Sequence, residues 1–192
     1  MAEAAAIISH AEETDFYEVT KEFLSLLLPK YDADMNKHQK LNEEHQATMA
    51  ELSNPDRYTF VDLGLPSGRL WATENAPGFY TFDEAVDTFG ELLPKGSAMV
   101  ELIEESTCIW NDEKNGLDIT GPNGSTIFLP AAGHTWGFLG VKAKNEEGTY
   151  WTRLPFSKAN ARNLGFDSSG VYHLNYSYRS LGFSVRPCRE LH

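Results

Sequence analysis

Gly182-Phe183-Ser184-Val185-Arg186-Pro187-Cys188 and Phe60-Val61-Asp62-Leu63-Gly64-Leu65-Pro66-Ser67-Gly68 are the two stretches whose reading decides the fold. Each is a short apolar and aromatic run bounded by turn residues, the signature of a strand. The upstream run opens the compact part of the chain and the downstream run closes it. Two such ends can pair at the centre of a sheet, so 60–63 is expected beside 183–186. Everything between then hangs as loops and helices on a clamped frame, which suits binding better than catalysis.

Working outward, 58–63 and 69–72 read as a strand and its return across the Leu65-Pro66-Ser67-Gly68 turn. Thr81 followed by Asp83 and Glu84 starts a helix over 82–89, and the apolar spacing of Ala98, Val100, Leu102 and Ile103 suggests a second short helix over 97–105. Strands over 117–120 and 125–130 flank the Gly121-Pro122-Asn123-Gly124 turn, and a further strand is expected over 149–154. The remainder, rich in Gly, Asn, Ser and Tyr, reads as loop up to the 183–186 strand.

Upstream of Ser53-Asn54-Pro55-Asp56 the pattern is helical. Ser9 and Glu12 have capping-box spacing, and Thr14 or Asp15 offers another start. Phe16, Val19, Phe23, Leu24, Leu27 and Leu28 fall on one face, and Pro29 is expected to end that helix. A second, more polar helix over 32–52 carries Met35, Leu41, Met49 and Leu52, with His38 and His45 between them. The chain thus divides into an N-terminal helical segment, 1–55, and a domain, 56–192. Phe16, Phe23, Leu24, Leu27, Leu28, Leu41 and Leu52 are the candidate self-association residues, because contiguous apolar faces mark contacts. A homo-oligomer is expected, a trimer in preference to other states, with other assembly components docking on 1–55.

Composition limits the function. Of 192 residues, 41% are hydrophobic and 12% aromatic, enough for a packed core; the 15 Gly and 9 Pro point to short strands and many turns. A net charge of −12 argues against nucleic acid and against anionic lipid as partners. The charge is uneven: 151–192 holds six bases (Arg153, Lys158, Arg162, Arg179, Arg186, Arg189) against Asp167 and Glu190, a local excess that would suit an anionic or polar ligand. The first eight residues lack a basic n-region, so no export signal is expected, and no apolar run is long enough to span a bilayer. Cys108 and Cys188 read as two buried thiols rather than a disulfide framework.

Four blocks carry a resemblance. Val61-Asp62-Leu63-Gly64-Leu65-Pro66-Ser67-Gly68-Arg69-Leu70-Trp71-Ala72-Thr73 resembles the opening of the Fibrobacter succinogenes major paralogous domain. The run from Thr120 to Gly133 resembles that family's central block, and Tyr150-Trp151-Thr152 and Gly182-Phe183-Ser184-Val185-Arg186-Pro187 resemble its closing blocks. The similarity covers about 58–189. Glu91-Leu92-Leu93-Pro94-Lys95 keeps only Leu-Pro where members carry Trp-Arg-Leu-Pro. The resemblance implies an α+β, C-type-lectin-like domain: a small twisted antiparallel or mixed sheet, two helices and a long loop region. It also implies relatedness to the variable ligand-binding proteins of diversity-generating retroelements. A surface-binding fold without an export signal, preceded by an assembly segment, is expected in a phage virion infecting Bacteroidetes, as a head-fibre or tail-tip protein.

The candidate ligand site is the Tyr-, Asn- and Ser-rich stretch 171–180. Large rings of low entropy cost interspersed with adaptable polar groups are the chemistry of antibody paratopes. Strict strand alternation would put Tyr172, Leu174, Tyr176 and Tyr178 on one side and His173, Asn175 and Ser177 on the other. Trp151, Arg153, Tyr172, His173, Asn175, Tyr176, Tyr178 and Arg179 are the expected contacts for a host-surface glycan or protein. Trp110-Asn111-Asp112 matches a calcium-binding tripeptide of sugar-binding lectins but lacks its upstream partner, so no metal is expected and Trp110 reads as a core residue of a helix-end loop. Asp112, Asp118 and His134 have no spacing that supports acid–base catalysis. The expectation is a non-enzymatic, cofactor-free binding module. The alternatives are a purely structural decoration or connector of the particle, or a bacterial surface-type ligand-binding protein.

Overall fold

The computed structural model describes residues 16–190; the readings of 1–15, and of the Phe16 and Val19 side chains, fall outside what it describes. The chain divides into two compact units, Met1–Thr48 and Met49–His192. The architecture is mixed α+β, with three α-helices and four small antiparallel sheets among the described residues.

α1 runs unbroken over Phe16–Ser53, with Pro29 inside it, so one helix replaces the expected two. Proline removes a single backbone hydrogen bond, and good helix formers on both sides (Leu26–Leu28, then Lys30 onward) carry the ladder past the gap. Within the first unit, Leu24, Leu27, Leu28 and Leu41 are exposed and Phe23 is half-buried. The last turn of α1 belongs to the second unit, so Leu52, expected to serve self-association, is instead only 5% exposed in that unit's core. Tyr58 donates its hydroxyl to the Leu52 carbonyl at 2.9 Å and fixes the turn there.

The second unit opens with β1 (Phe60–Asp62) and β2 (Leu70–Ala72) and closes with β12 (Cys188–Arg189). These form one sheet in the order β1-β2-β12. The two ends of the domain do meet, but through β2: Cys188 pairs with Trp71 and Arg189 with Leu70. The expected strand 183–186 makes isolated bridges instead, Phe183 to Tyr80 and Ser184 to Tyr150. Pro187 and Val185 accept from Ala72 N and Ala76 N, so the segment is stitched along the 72–80 stretch rather than laid beside β1.

α2 (Phe82–Phe89) starts at the expected Thr81 cap, and Glu84 makes it a capping box in which the two residues satisfy each other's backbone N–H groups. α3 spans Gly96–Glu104. β3 (Thr107–Asn111), β4 (Gly116–Thr120) and β5 (Thr126–Pro130) form a meander, which puts Trp110 on a strand rather than in a loop. β6 (His134–Trp136) pairs with β7 (Val141–Lys142) and β11 (Leu181–Gly182). The stretch read as loop after 154 holds two of the three longest strands of the domain; the other contains the strand expected over 149–154. β8 (Glu147–Pro155), β9 (Asn160–Asp167) and β10 (Gly170–Tyr178) form a sheet in the order β10-β9-β8.

Two adjoining apolar clusters fill the interior. One gathers Leu63, Trp71, Met99, Leu102, Ile119, Leu129 and Phe166; the other gathers Phe82, Phe89, Trp151, Phe183 and Val185. Arg186 is fully buried between elements of the first sheet and the meander. Its Nε donates to Asn75 Oδ1 at 2.8 Å, Nη1 to the Ala72 carbonyl at 2.9 Å and Nη2 to the Phe128 carbonyl at 2.5 Å. Asn75 in turn donates to the Tyr150 hydroxyl, which donates to the Pro130 carbonyl. Burial lowers the Arg186 pKa and pushes that of Tyr150 up to about 12. Gly121 is required by close approach, since a Cβ there would lie 2.1 Å from the Leu63 carbonyl oxygen.

Both cysteines are free. Cys188 is buried, which pushes its thiol up to about 11, although the nearby Arg69 guanidinium pulls it down. A thiol reagent at pH 7 is therefore expected to leave Cys188 unmodified until denaturant is added, because the thiolate is the nucleophile. Prompt labelling of Cys188 in the native protein, followed by mass spectrometry, would contradict this packing.

Candidate ligand-binding face

Among the expected contacts, Trp151 does not reach the surface. It is 0% exposed, stacked on Phe183 at 4.3 Å and edge-on to Phe82 at 5.6 Å, with its Nε1 donating to the Tyr80 carbonyl at 2.8 Å. It follows the apolar middle of β8, so its size and hydrophobicity are used by the core. Arg153 is on the same strand and pairs with the Glu91 carboxylate, which holds that carboxyl below its usual range. Arg179 pairs with Asp83 and lies 4.7 Å above the Phe82 ring.

The other contacts sit on β10, and a bulge decides how they face. Tyr172 pairs with Gly165 and Asn175 with Asn163, so three steps on β10 match two on β9. Leu174 takes φ +56 there, a left-handed conformation uncommon for a branched side chain. Cross-strand partners share a face, so the slip puts Tyr172 with Asn175 and Ser177, and Tyr176 and Tyr178 on the other side with Arg162 and Asn160. The four-residue alternation expected for 172–178 is thereby broken.

The Tyr172 side carries a shallow cleft of about 330 Å³ lined by residues 171–175. Tyr172 shares a 2.9 Å hydrogen bond with Ser169, and Asn175 Oδ1 accepts from the Tyr176 N–H. His173 Nε2 lies 3.6 Å from Glu104 Oε1 at the end of α3. These polar groups are largely engaged with their own chain.

The Tyr176 side is different. Phe156 leaves β8 at Pro155 and folds over β9, held by its N–H to the Asn160 carbonyl. Its ring stacks on Tyr176 with centroids 4.8 Å apart at 27°. The Arg162 guanidinium lies 4.2 Å from the Phe156 centroid and 5.9 Å from that of Tyr176. Arg162 Nη1 donates to the Leu174 carbonyl at 2.8 Å, so the bulge supplies the acceptor that aims the guanidinium. Phe156 remains 49% exposed, Tyr176 54% and Tyr178 61%. Phe156 and Tyr176 are thus fixed rings open to solvent, with the more exposed Tyr178 on the same side, and stacking is the chemistry they offer.

Phe156 and Arg162 were not among the expected contacts. A signal for them exists: the apolar positions Leu164 and Phe166, then Asp167-Ser168-Ser169-Gly170, then Val171 onward form a hairpin pattern. Once that hairpin is drawn, Arg162 falls beside Tyr176.

The tripeptide Trp110-Asn111-Asp112 is consumed internally: Asn111 Nδ2 donates to Asp118 at 2.7 Å, and Trp110 Nε1 to Asp112 at 2.9 Å. No His, Cys, Asp and Glu cluster among the described residues is arranged to hold a metal ion. No helix among them is long and apolar enough to cross a membrane. Comparisons with protein-family models, with curated proteins and with solved structures return no match.

Proposed function

We propose that the chain is a non-enzymatic phage virion protein of the head-fibre or tail-tip type. In this reading the second unit is a C-type-lectin-like domain that binds a host-surface glycan or protein, and α1 is its mount in a homo-oligomer. The observation that carries the binding role is the open aromatic set Phe156, Tyr176 and Tyr178 on the β10 sheet. The lectin-like assignment is supported by the chain positions of its four blocks. Gly121, Tyr150, Trp151 and Arg186, all from those blocks, are buried in the interior of the domain.

The mount role rests on the first unit. Leu24, Tyr31, His38 and His45 recur at every seventh position of one unbroken helix, and Leu24, Leu28, Tyr31, Met35 and Leu41 are exposed on a single chain. A sevenfold spacing of this kind is what a coiled-coil seam needs, and the two histidines make it a polar one. The same exposed leucines favour a second reading, a decoration or connector protein in which α1 binds another virion component and the domain is scaffold.

The cut between units gives the test. The full chain is expected to be oligomeric by light scattering, and a chain starting at Met49 monomeric and folded. A chain starting at 56 should be less stable by about 2–4 kcal/mol, because it loses the buried Leu52. Monomeric full-length protein would remove the mount role; a Met49 chain that stays oligomeric would place self-association elsewhere. Detection of the chain on purified particles separates a virion protein from a bacterial surface protein.

A further inference from the structure

We propose that Phe156, Tyr176 and Arg162 form a stacking site for the C–H face of an uncharged hexopyranose, with Tyr178 extending it. The proposal rests on the binding role given above and narrows it to one ligand class.

The rings are prepared before any ligand arrives. Three strands of one sheet place them: Phe156 at the end of β8, Arg162 on β9 and Tyr176 opposite it on β10. Phe156 and Tyr176 stack on one another, and Arg162 is held both by the Phe156 ring and by the Leu174 carbonyl. A site whose side chains are already ordered loses little conformational entropy on binding. The phenolic hydroxyls of Tyr176 and Tyr178 have no hydrogen-bond partner among the described residues, so they are available at the rim to sugar hydroxyls.

Charge selects against acidic sugars and phosphates. The local excess of bases in 151–192 suggests an anion site, but the structure shows all of those bases in use except Lys158, which is exposed in the turn after Phe156 and has no partner among the described residues. Arg153 is paired with Glu91, Arg179 with Asp83, and Arg162 donates to a carbonyl while stacked on a ring. Arg186 is buried in the core and Arg189 lies over the Phe60 ring. An anion at the platform would find only Lys158 free and would have to displace an internal partner to pair with any of the arginines. The chain's net charge of −12 also disfavours its approach at long range.

Backbone geometry selects against a peptide strand. β10 is an edge of its sheet, and an extended peptide would add to that edge. The bulge between Tyr172 and Asn175 interrupts the ladder and twists the edge away, a common way of blocking such addition. What remains accessible is the outward part of the rings left uncovered by that stack and by Arg162, an apolar surface of the kind that the axial C–H patch of a pyranose matches.

The test uses the full-length protein. Its binding is measured by saturation-transfer NMR with methyl galactoside, methyl glucoside, methyl mannoside and sialic acid, and on an array of neutral, sialylated and sulfated oligosaccharides. At least one neutral pyranoside should receive saturation on the C–H protons of one face, and dense neutral glycans on the array should be retained through multivalency. Tyr176→Ala and Phe156→Ala should each weaken that binding by about tenfold, the size of one lost stacking contact. Tyr172→Ala, on the opposite side of β10, should leave it unchanged. Both platform rings are solvent-exposed, so melting temperatures close to the parent's are expected and confirm that loss of binding is local. Preference for sialylated or sulfated glycans that Lys158→Ala or Arg179→Ala abolishes would overturn the uncharged class while leaving the binding role standing. Neutral-sugar binding unchanged in both platform variants would overturn the site. Retention of apolar peptides and of no sugar would overturn the ligand class. Absence of all binding from protein shown to be oligomeric and particle-borne would overturn this proposal together with the binding role, in favour of the decoration reading.

Discussion

Replacing Arg186 with methionine lowers the free energy of unfolding by about 3–5 kcal/mol. The substitution keeps much of the volume but removes every donor from a site where Asn75 Oδ1 and the Ala72 and Phe128 carbonyls each accept from the guanidinium. Each buried acceptor left without a donor costs roughly 1–3 kcal/mol. One effect opposes this. No carboxylate among the described residues forms an ion pair with Arg186, and burial lowers its pKa, so deleting the charge recovers desolvation energy. The losses outweigh the recovery because two of the three acceptors are backbone carbonyls anchored in packed segments, where water cannot replace the lost donor. Arg186→Lys should rescue only partly, since a single ammonium cannot reach three acceptors that a planar fork spans. Denaturant unfolding of the three proteins checks the order. A methionine variant as stable as the parent would mean that the carbonyls find other donors, and the buried arginine would lose its role as the junction of these segments. Against a typical domain stability of about 5–15 kcal/mol, the expected loss would leave a protein close to its threshold at 37 °C.

Trp151→Ala is the second large effect, again about 3–5 kcal/mol. The indole is fully buried, stacked on Phe183, edge-on to Phe82 and hydrogen-bonded to the Tyr80 carbonyl. Truncation leaves a cavity and an unpaired carbonyl in the cluster that joins α2, β8 and the closing segment. Tyr176→Ala, on the surface, should change stability by less than about 0.5 kcal/mol. The contrast matters for reading binding data: lost binding in the Trp151 variant follows from lost fold and should track its denaturation midpoint, whereas loss in the Tyr176 variant should not. A Trp151→Ala protein with an unchanged midpoint would remove this residue from the core.

What was legible in the sequence was the local chemistry. The helix start at Thr81 and the strand–turn–strand around Gly121-Pro122-Asn123-Gly124 both emerge where their residues point, because both signals lie within a few residues of the structure they specify. Three things were not legible, each for a physical reason. Pro29 looks like a stop, yet a helix loses only one hydrogen bond there and continues. The β9–β10 hairpin is polar and Asn-rich because one of its faces is open, so it resembles loop until its turn residues are counted. The bulge at Leu174, which decides which tyrosines share a side, inserts one residue into a ladder, and strict alternation has no way to register it. The site inherits that difficulty: Tyr176 and Tyr178 stand out by type, but Phe156 and Arg162 join them only through pairing. Trp151 shows the converse error, in which an aromatic of binding character is drawn into the interior by the strand it sits on.

The partner of β2 lies more than a hundred residues further along the chain, since Cys188 and Arg189 complete a sheet begun at Phe60. During synthesis, α2, α3 and the meander emerge and can collapse while Trp71 and Ala72 still lack their neighbour. The domain therefore cannot lock until its final segment leaves the ribosome, and every translating copy carries an open strand edge until then. Truncated translation products of this chain should therefore appear preferentially in the aggregated fraction.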